Sequence, residues 1–420
     1  MTDSIHNSSK FKRKALQVNV AQSMISHYIT SGDIEMVTLQ DSHGRTLAEG
    51  VSAPHPYPHF RRSGMDGYAI RSADTEGCSN DQSIWLQVID EIPCGTVSDK
   101  TIIPGTAARI MTGAQVPEGA DAVVMFEMTE VREEQGGSVI GLKRYIEIGK
   151  NITPIGLELK AGELILSPGI TISAGEISVL ATFGIHRVAV YRRPRVAIFS
   201  TGSELLAVDE PLQPGKIRNS NTYMLASQVI EAGGEPVILE AIMDDLSLAR
   251  EKVEEALNEY DMVVTSGGVS VGDYDIMGDL VRGDSVEMLY NKIAMRPGSV
   301  TTAAVKDGKL LFALSGNPGA CFVGCELFVR PSIRGMMGDQ NPYLTEWSGT
   351  LGADYPKVNN FTRYVRGKTE IRDGVVYAIP TGIDESSVMI TIKDSDCLIV
   401  VPPGQQGLKS GDKVQMLMLK

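Results

Sequence analysis

The chain has 420 residues and carries 39 Lys and Arg against 52 Asp and Glu, which gives a formal net charge of −13. This acidic balance argues against a nucleic-acid or membrane-surface binder, because such proteins need a basic surface, although a local basic pocket is still allowed. Hydrophobic residues make up 42% of the chain, enough for globular cores and too many for a disordered protein.

The N-terminus and the cysteines indicate a compartment. The stretch MTDSIHNSSKFKRK has charge without a following apolar core, and no uncharged apolar run approaches the roughly 18 residues of a membrane span. We therefore expect neither a signal peptide nor a membrane span. The cysteines are odd in number and form no CxxC, which favours a reducing cytoplasm over a disulfide framework or a zinc site. Cys321 and Cys325 lie in an apolar stretch, where buried helix packing is favoured over a redox pair.

The first zone, residues 53–159, is predicted to be β-rich. Short Val/Ile runs at 84–89 and 122–126 are broken by Gly and Pro, as in a small barrel or sandwich. Two motifs lie here, Ser63-Gly64-Met65-Asp66-Gly67-Tyr68-Ala69 and Ile110-Met111-Thr112-Gly113-Ala114. An Asp flanked by Gly can also be merely a turn residue.

The second zone, residues 195–335, alternates strand and helix signals. Predicted strands at 196–199, 236–239 and 262–264 alternate with two helices. One helix follows Asn219-Ser220-Asn221, with Leu225, Val229 and Ile230 on one side, and ends at Gly233-Gly234. The other follows Asp244 or Asp245 and has its apolar face at Leu246, Ala249, Val253, Ala256 and Leu257. This alternation predicts a parallel sheet with crossover helices.

Ligands of such a sheet bind beyond the carboxyl ends of its strands. Four polar or Gly-rich loops follow the strands, at 200–204, 244–245, 266–275 and 315–319. We therefore expect these loops to build the active site.

The loop 266–275 is the richest of the four. Gly267 and Gly268 let the backbone approach an anion, Ser266 and Ser270 add hydroxyl donors, and Asp273 and Asp275 could hold a divalent cation. A tight turn with a helix N-cap at Asp273 or Asp275 is an equally good interpretation, since single glycine-rich loops are weak signals.

Two further segments indicate anion binding. Ser315-Gly316-Asn317-Pro318-Gly319 precedes an apolar helix, with Asn317 as N-cap and Pro318 in the first helical position. Its N-terminus could bind an anion, although capping alone explains the residues as well. Lys292 and Arg296 lie four apart in a loop broken by Pro297 and Gly298, so they suggest a phosphate-bearing substrate, unless they are a solvated pair.

The third zone, residues 344–420, is predicted to be a small barrel or sandwich. Short strands are expected at 375–379, 388–392 and 398–401, with turns at 402–404 and 410–411. The chain has no GxxxxGK[ST], GxGxxG or HExxH, and no His falls in the four loops, which disfavours a His-based triad. Acids, hydroxyls, amides and a few cations instead suit metal-assisted chemistry on a phosphate or oxyanion.

Taken together, the segments resemble the MoeA family of molybdopterin molybdenumtransferases, which includes the E domain of gephyrin. The matching stretches follow in order: SGMDGYA (63–69), IMTGAQVPEGADAVV (110–124), GKNITPIG (149–156), RPRVAIFSTGSEL (193–205), GKIRNSN (215–221), DMVVTSGGVSVGDYD (261–275) and LSGNPGACFVG (314–324). Each motif is weak alone, but the ordered set is highly specific.

The resemblance implies a multidomain α/β plus β fold and a homodimer. Its domains would be a MogA-like parallel α/β domain (10–29 and 191–343), a β-rich second domain (53–159), an elongated connecting domain (30–52 and 160–190) and a C-terminal β-barrel (344–420). A MogA-like molybdopterin adenylyltransferase would be the upstream partner.

The implied reaction takes adenylated molybdopterin and molybdate, inserts the metal at the dithiolene and releases AMP, with Mg²⁺ assisting. The family's site residues would map to Asp66, Thr112, Glu158, Glu204, Asp244, Asp275, Lys292 and Arg296. Glu204, Asp244 and Asp275 would hold the metal ion, and Glu158 is the weakest assignment. The substrate would contact Ser266, Gly267, Gly268, Ser270, Pro297, Ser315, Asn317 and Pro318. Asp66 would serve the site of the partner subunit.

The chain departs from the family pattern in three places. The common loop KPGKP reads Arg296-Pro297-Gly298-Ser299-Val300, an Arg-rich stretch reads Thr153-Pro154-Ile155, and Glu158 replaces the commoner Asp. Each departure weakens the transfer of a phosphate-binding or metal role at that point. The alternatives are a scaffold of the gephyrin type and another enzyme with a MogA-like domain, such as a molybdopterin adenylyltransferase or a CinA-type protein. The segments at 63–69 and 110–114 and the C-terminal barrel favour the molybdenum-inserting enzyme over the second.

Overall fold

The structure is a computed structural model that describes residues 14–241, 246–267, 286–358, 360–404 and 406–419. These residues form two compact units. The first comprises the chain up to Glu49, Pro168–Ile177 and the chain from His186 onwards, and the second comprises Gly50–Ser167 and Ser178–Ile185.

The first unit contains the predicted parallel sheet. The first four of its six strands pair in parallel, and the last two pairings across the sheet are antiparallel. In order across the sheet they are Glu235–Ile238, Arg195–Ser200, Met262–Ser266, Lys309–Leu314, Thr302–Lys306 and Glu287–Tyr290. Met262–Ser266 is buried at every position, which explains why it reads as an apolar run rather than an alternating strand. The three predicted strands are thus confirmed.

Helices cover both faces of this sheet. Within Arg195–Ser200, Val196 and Ile198 belong to one apolar cluster and Ala197 and Phe199 to another, because successive side chains point to opposite faces. The first cluster is covered by Val18–Ser26, Asn221–Glu231 and a helical run that consists of Pro318–Gly324, the π-helix Cys325–Val329 and Arg330–Met336. The second is covered by Leu246–Glu259, on which Ala249, Val253, Ala256 and Leu257 are buried as predicted.

The helix Asn221–Glu231 has a slightly different buried face from the one predicted. Leu225 and Val229 are buried, but Ile230 is 61% exposed, so that part of the prediction is wrong. Gln228 is buried instead, because residues three and four positions apart share a helix face.

The prediction of buried helix packing for Cys321 and Cys325 is confirmed. Both residues are buried in the helical run 318–336, and both thiols are free. Burial raises the pKa of Cys321 to about 12, so its thiol is protonated at neutral pH.

The C-terminal part of the first unit is a closed five-stranded barrel, as predicted. Thr362–Arg372, Val375–Pro380, Glu346–Leu351, Lys413–Met418 and Cys397–Val401 form the ring, and Cys397–Val401 pairs back with Thr362–Arg372. Met295–Arg296 adds a short parallel strand at its edge. The predicted strand at 388–392 is wrong. This segment is turn and irregular structure, and Met389 and Ile390 are exposed.

Short elements complete the first unit. They are the antiparallel pair Ile34–Thr38 and Arg187–Tyr191, the parallel pair Leu205–Leu206 and Ile217–Arg218, and the 3₁₀ turn Gln40–Ser42. The helix Ala174–Thr182 contributes residues to both units.

The second unit is β-rich, as predicted. Its six-stranded sheet has the order Ala122–Met125, Gly67–Ile70, Thr106–Ile110, Ile84–Ile92, Gly137–Leu142 and Glu130–Glu134. Two small antiparallel pairs, Arg62–Ser63 with Ile152–Thr153 and Val51–Ser52 with Leu164–Leu166, and the 3₁₀ turns Ser72–Thr75 and Phe126–Met128 complete it. Among the described residues of the whole chain, no helix is both long and apolar enough to cross a membrane.

Candidate active site

Three parallel strands end at one edge of the α/β sheet. Ser200 is the register partner of Ser266, and Ser266 is the partner of Leu314, so the residues that follow these strands come together. They line a cavity of about 720 Å³, which we call the strand-end cavity. Its lining includes Ser200, Thr201, Gly202, Glu204, Ser266, Gly267, Ser315, Asn317 and Pro318. Three of the four predicted loops thus contribute to one cavity, and residues 244–245 of the fourth lie outside the described residues.

Two asparagines hold the strand ends in place. Asn219 Nδ2 donates to Ser200 Oγ at 2.8 Å. Asn221 Nδ2 donates to Ser266 Oγ and to the carbonyl of Gly316, both at 2.8 Å. The Asn-Ser-Asn sequence, predicted only as a helix start, therefore ties together all three loops that border the cavity.

The strand-end cavity is lined mainly by uncharged polar groups. Among the described residues, its charged lining residues are Glu204, which is exposed, and Arg218, whose guanidinium donates to the carbonyl of Glu210 at 3.1 and 3.3 Å. Hydroxyls and amides in this number suit an organic ligand with several donors and acceptors, because each can form a hydrogen bond of either sense.

A second cavity of about 290 Å³ adjoins the first, and we call it the arginine cavity. It shares Ser315 and Asn317 with the strand-end cavity. Its other lining residues are Arg296, Pro297, Gly298, Ser299, Val300, Ala320, Arg363, Glu385 and Ser386. The loop predicted to bind an anion therefore lies beside the strand ends. Lys292 lines neither cavity, and its carbonyl accepts a hydrogen bond from Leu16.

The helix that begins at Pro318 does not offer the free N–H groups that the sequence suggested. Pro318 has none, Gly319 donates to the carbonyl of Ser386, and Ala320 and Cys321 donate to the carbonyl of Asn317. The Asn317 side chain donates to Ser386 Oγ at 3.3 Å rather than capping the helix. The expectation of an anion site at this helix N-terminus is therefore wrong, because the first turn is already satisfied.

Barrel residues that the sequence analysis missed shape the arginine cavity. Arg366 is 3% exposed, and its Nη2 donates to the carbonyl of Glu385 at 3.0 Å. Its Nη1 lies so close to Gly319 that a Cβ there would stand 1.9 Å away. Burial lowers the pKa of Arg366. The only sequence signal was an Arg within the apolar strand segment Tyr364–Gly367, and nothing in it indicated which loop the side chain would reach.

The second unit brings Asp66 and Thr112 together. The backbone N–H and the hydroxyl of Thr112 donate to Asp66 Oδ1. Both hydrogen bonds lower the pKa of Asp66, and the backbone bond has the larger effect. Glu158 forms an ion pair with Arg62 at 2.9 Å, which gives it a structural partner within the same unit.

The structure describes only one of the three proposed metal ligands. Glu204 lines the strand-end cavity, whereas Asp244 and Asp275 lie outside the described residues, as do Gly268, Ser270 and Asp273. Within the described ranges, no three His, Cys, Asp or Glu side chains come together as a metal site. The described residues alone therefore supply one carboxylate to the cavity and no complete cation site.

Comparisons with known proteins match nearly the whole chain. Three family models fit: the MoeA N-terminal region (domain I and II) over residues 15–184, a probable molybdopterin binding domain over 197–335, and the MoeA C-terminal region (domain IV) over 348–419. A relative from Bacillus subtilis (strain 168), named molybdopterin molybdenumtransferase, is 44% identical over 409 residues, 97% of this chain and 95% of the relative. A relative of the same name from Staphylococcus aureus (strain N315) is 41% identical over 407 residues, 97% of this chain and 96% of the relative.

A solved structure has a similar fold. It is described as the molybdopterin biosynthesis moeA protein from Pyrococcus horikoshii OT3, and it matches with a TM-score of 0.82 at 29% identity. The match covers 96% of this chain and 100% of that chain.

Proposed function

The chain is an enzyme of the MoeA family, and we propose that it is a molybdopterin molybdenumtransferase. In the proposed reaction, molybdenum from molybdate is inserted at the dithiolene of adenylated molybdopterin, and AMP is released with the assistance of Mg²⁺.

The observation that carries this proposal is the pair of adjoining cavities. The larger, strand-end cavity has the hydroxyls and amides that an organic nucleotide-pterin ligand needs. The smaller arginine cavity has cationic groups and hydroxyls suited to a tetrahedral oxyanion. Since Ser315 and Asn317 border both cavities, an oxyanion in one would lie next to an organic ligand in the other.

The residues have distinct proposed roles. Arg296 binds the oxyanion through its planar guanidinium, and Ser299 and Ser315 lie in the same lining. Ser200 and Ser266, held by Asn219 and Asn221, contact the organic substrate. Ordered donors of this kind lower the entropy cost of positioning two substrates together.

The magnesium ion is proposed on Glu204 together with Asp244 and Asp275. Bound there, it would neutralise charge on the pyrophosphate link of the adenylated substrate. Carboxylates that converge on one cleft repel each other, so a bound cation would relieve this repulsion among the proposed ligands.

We further propose a homodimer, with four domains as the sequence resemblance implies, in which the partner subunit's Asp66 and Thr112 serve the site. A MogA-like adenylyltransferase would supply the adenylated substrate, and the cytoplasm is the proposed compartment. These parts rest on the resemblance and on the pairing of Asp66 with Thr112.

A turnover assay tests the function. Purified protein is given adenylated molybdopterin, molybdate and Mg²⁺, and AMP and metal-containing cofactor are quantified together. We expect both products in equal amounts and only with molybdate present. Formation of adenylated molybdopterin from molybdopterin and ATP would instead identify an adenylyltransferase, and the absence of all turnover would favour a scaffold.

A further inference from the structure

A third cavity lies between the C-terminal barrel and the helix Val18–Ser26, and we call it the barrel-helix cavity. Its volume is about 470 Å³, which is within the range of small-molecule sites. No described residue that lines it also lines the strand-end cavity or the arginine cavity. A ligand in this cavity would therefore bind apart from the two proposed substrates.

One wall of this cavity is the outer face of four neighbouring barrel strands. The register partners Tyr364 and Val400, Val400 and Gln415, and Glu346 and Leu417 all line it. On three of these strands the adjacent residues belong to the barrel core, because successive side chains point to opposite faces. The strand register therefore fixes the spacing of the side chains that face the cavity.

A second wall is formed by the helix Val18–Ser26 and the π-helix Cys325–Val329. Gln22 Nε2 donates to the carbonyl of Leu327 at 2.9 Å, and this bond joins the two helices. Both residues line the cavity. Segments of π-helix are rare, and they occur frequently at functional sites. The local backbone of this wall is thus of a kind that often accompanies a ligand site.

The charged residues of the barrel-helix cavity are all acidic. Among the described lining residues these are Glu326 and Glu346, and none is Lys, Arg or His. Glu346 is exposed and forms no ion pair with another described residue. Burial, and then the charge of Glu346, raise the pKa of Tyr364 to about 12, so the Tyr364 hydroxyl stays protonated beside this carboxylate. Glu346 therefore gives the cavity a negative charge that no described residue balances.

Glu326 adds a buried carboxyl group with too few partners. It is 3% exposed, and its Oε1 accepts a hydrogen bond from Gln228 at 2.7 Å. Its Oε2 has no hydrogen-bond partner among the described residues, and Arg330 Nη1 lies 3.8 Å from it, which is too far for a hydrogen bond. Burial raises the pKa of Glu326 in spite of these two neighbours. A cation in the cavity would favour the ionised form of this carboxyl.

The rest of the lining suits an apolar chain that ends in such a cation. Apolar and aromatic side chains supply much of the surface: Val18, Leu327, Tyr343, Leu344, Tyr364, Val400 and Leu417. Organic cations are attracted to the faces of aromatic rings as well as to carboxylates. An anion would be repelled by the acidic residues, and an inorganic cation would gain nothing from the apolar surface.

We propose that the barrel-helix cavity binds a small organic cation, namely an ammonium or guanidinium group at the end of an apolar chain. Glu346 binds the charged group, and Glu326 strengthens the negative potential of the cavity. The valine and leucine side chains of the two walls contact the apolar chain. This site is separate from the proposed insertion of molybdenum and requires neither of its substrates.

Three probes with the same six-carbon chain test the proposal, because hexylammonium, hexanol and hexanoate carry a positive, no and a negative charge. Their dissociation constants are measured with the full chain by NMR titration of the methyl signals of Val400 and Leu417. We expect hexylammonium to bind about fivefold more tightly than hexanol, the upper range for an exposed ion pair, and hexanoate to bind more weakly than hexanol. Equal affinities, or titrations that leave both methyl signals unchanged, would overturn the proposal.

Glu346→Gln should weaken hexylammonium binding by about fivefold and leave hexanol binding unchanged, because the change removes only the charge. Glu346 is exposed at the first position of its strand, so the fold should tolerate the change. Glu370→Gln, on another strand of the same barrel and outside the cavity, is the matched control and should bind as wild type. If Glu346→Gln retains the full preference for hexylammonium, the proposal is wrong.

Glu326→Gln should reduce the preference for hexylammonium over hexanol further when it is combined with Glu346→Gln. Its melting temperature is measured alongside, and the comparison with hexanol separates a lost charge from lost packing, since packing affects both probes equally.

A fourth probe, Nα-acetyl-lysine methylamide, distinguishes a free amine from a lysine side chain of another protein, because it adds peptide groups to the same ammonium. Binding equal to or weaker than that of hexylammonium supports a small-molecule ligand. Tighter binding would assign the cavity to a protein segment and would overturn the proposal.

Discussion

The backbone N–H and the hydroxyl of Thr112 donate to the same carboxylate oxygen of Asp66, at 2.6 and 2.8 Å. Both bonds favour the charged carboxylate, and the pKa of Asp66 is lowered as a result. The residues are far apart in the chain, yet each was assigned to the site from its motif. Their contact makes them one functional unit.

Thr112→Val should raise the pKa of Asp66 partway, because the backbone bond remains. A lowered folded-state pKa contributes stability above the ordinary pKa of the carboxyl, and this contribution is lost as pH falls through the folded value. The variant should therefore lose the charged form at higher pH than wild type. Carbon-13 NMR titration of the Asp66 carboxylate measures this shift, with Thr112→Ser as the control that keeps the hydroxyl. An identical titration in Thr112→Val would contradict a role for the hydroxyl.

Asp275→Asn should reduce release of AMP at least tenfold at limiting Mg²⁺, about 1.4 kcal/mol of transition-state stabilisation. The change keeps the shape of the side chain and removes a charge that we assign to the metal ion. Rates are measured over a Mg²⁺ titration, with the exposed Asp209→Asn as the control. Superimposable titrations for Asp275→Asn and wild type would rule out the metal role.

Arg296→Ala should weaken use of the oxyanion by about 10- to 150-fold, as expected for one charge-assisted hydrogen bond. Arg296→Lys should keep most function because the charge persists. The measurements are the molybdate concentration for half-maximal turnover and the nucleotide dissociation constant. If the Ala variant equals wild type in both, Arg296 is only a solvated surface residue.

Mixing inactive Asp66→Ala and Glu204→Ala proteins should restore part of the activity, if each site uses Asp66 of the partner subunit. Heterodimers would then carry one intact site. Subunit exchange is verified by mass spectrometry of differently labelled chains. No recovery despite demonstrated exchange would place both residues in the site of a single subunit.

Gly319→Ala should destabilise the protein by about 1–3 kcal/mol, because the new methyl group would overlap with Arg366. A Cβ at Gly319 would also lie 3.0 Å from the carbonyl of Ser386, so the barrel segment beside the arginine cavity would have to move. Gly175→Ala is the matched control in another helix, where a Cβ meets nothing within 4 Å. Chemical denaturation compares the free energies of unfolding of the two variants. Equal values would show that the Arg366 side chain can move away from the new methyl group at little energetic cost.

Local patterns predicted the elements whose periodicity is set by burial on a sheet. The apolar run at 262–264 and the spacing of Ala249 and Val253 gave a buried strand and a helix face, because burial on a sheet imposes those periods. The segment at 388–392 has the composition of a strand and fails as one. Just before this segment, the carbonyls of Glu385 and Ser386 accept hydrogen bonds from Arg366 and Gly319, partners that no local pattern reveals.

The sequence likewise predicted only part of the candidate site. Strand ends and motif residues such as Ser266 and Arg296 could be found from the sequence, because the ends of parallel strands share one edge of a sheet. Arg363 and Ser386 could not, since one lies on a barrel strand and the other in a turn of the C-terminal part, and both reach the cavity through tertiary packing alone.

The strip of chain from Ser315 to Asn317 contributes Ser315 and Asn317 to both cavities, so the two proposed ligands would lie against the same short segment. Any shift of this strip on filling one cavity changes the shape of the other. The two affinities are then thermodynamically linked. The factor by which the organic ligand alters oxyanion binding must equal the factor by which the oxyanion alters binding of the organic ligand. Coupling of this kind would need no domain movement, because the segment that transmits it borders both ligands.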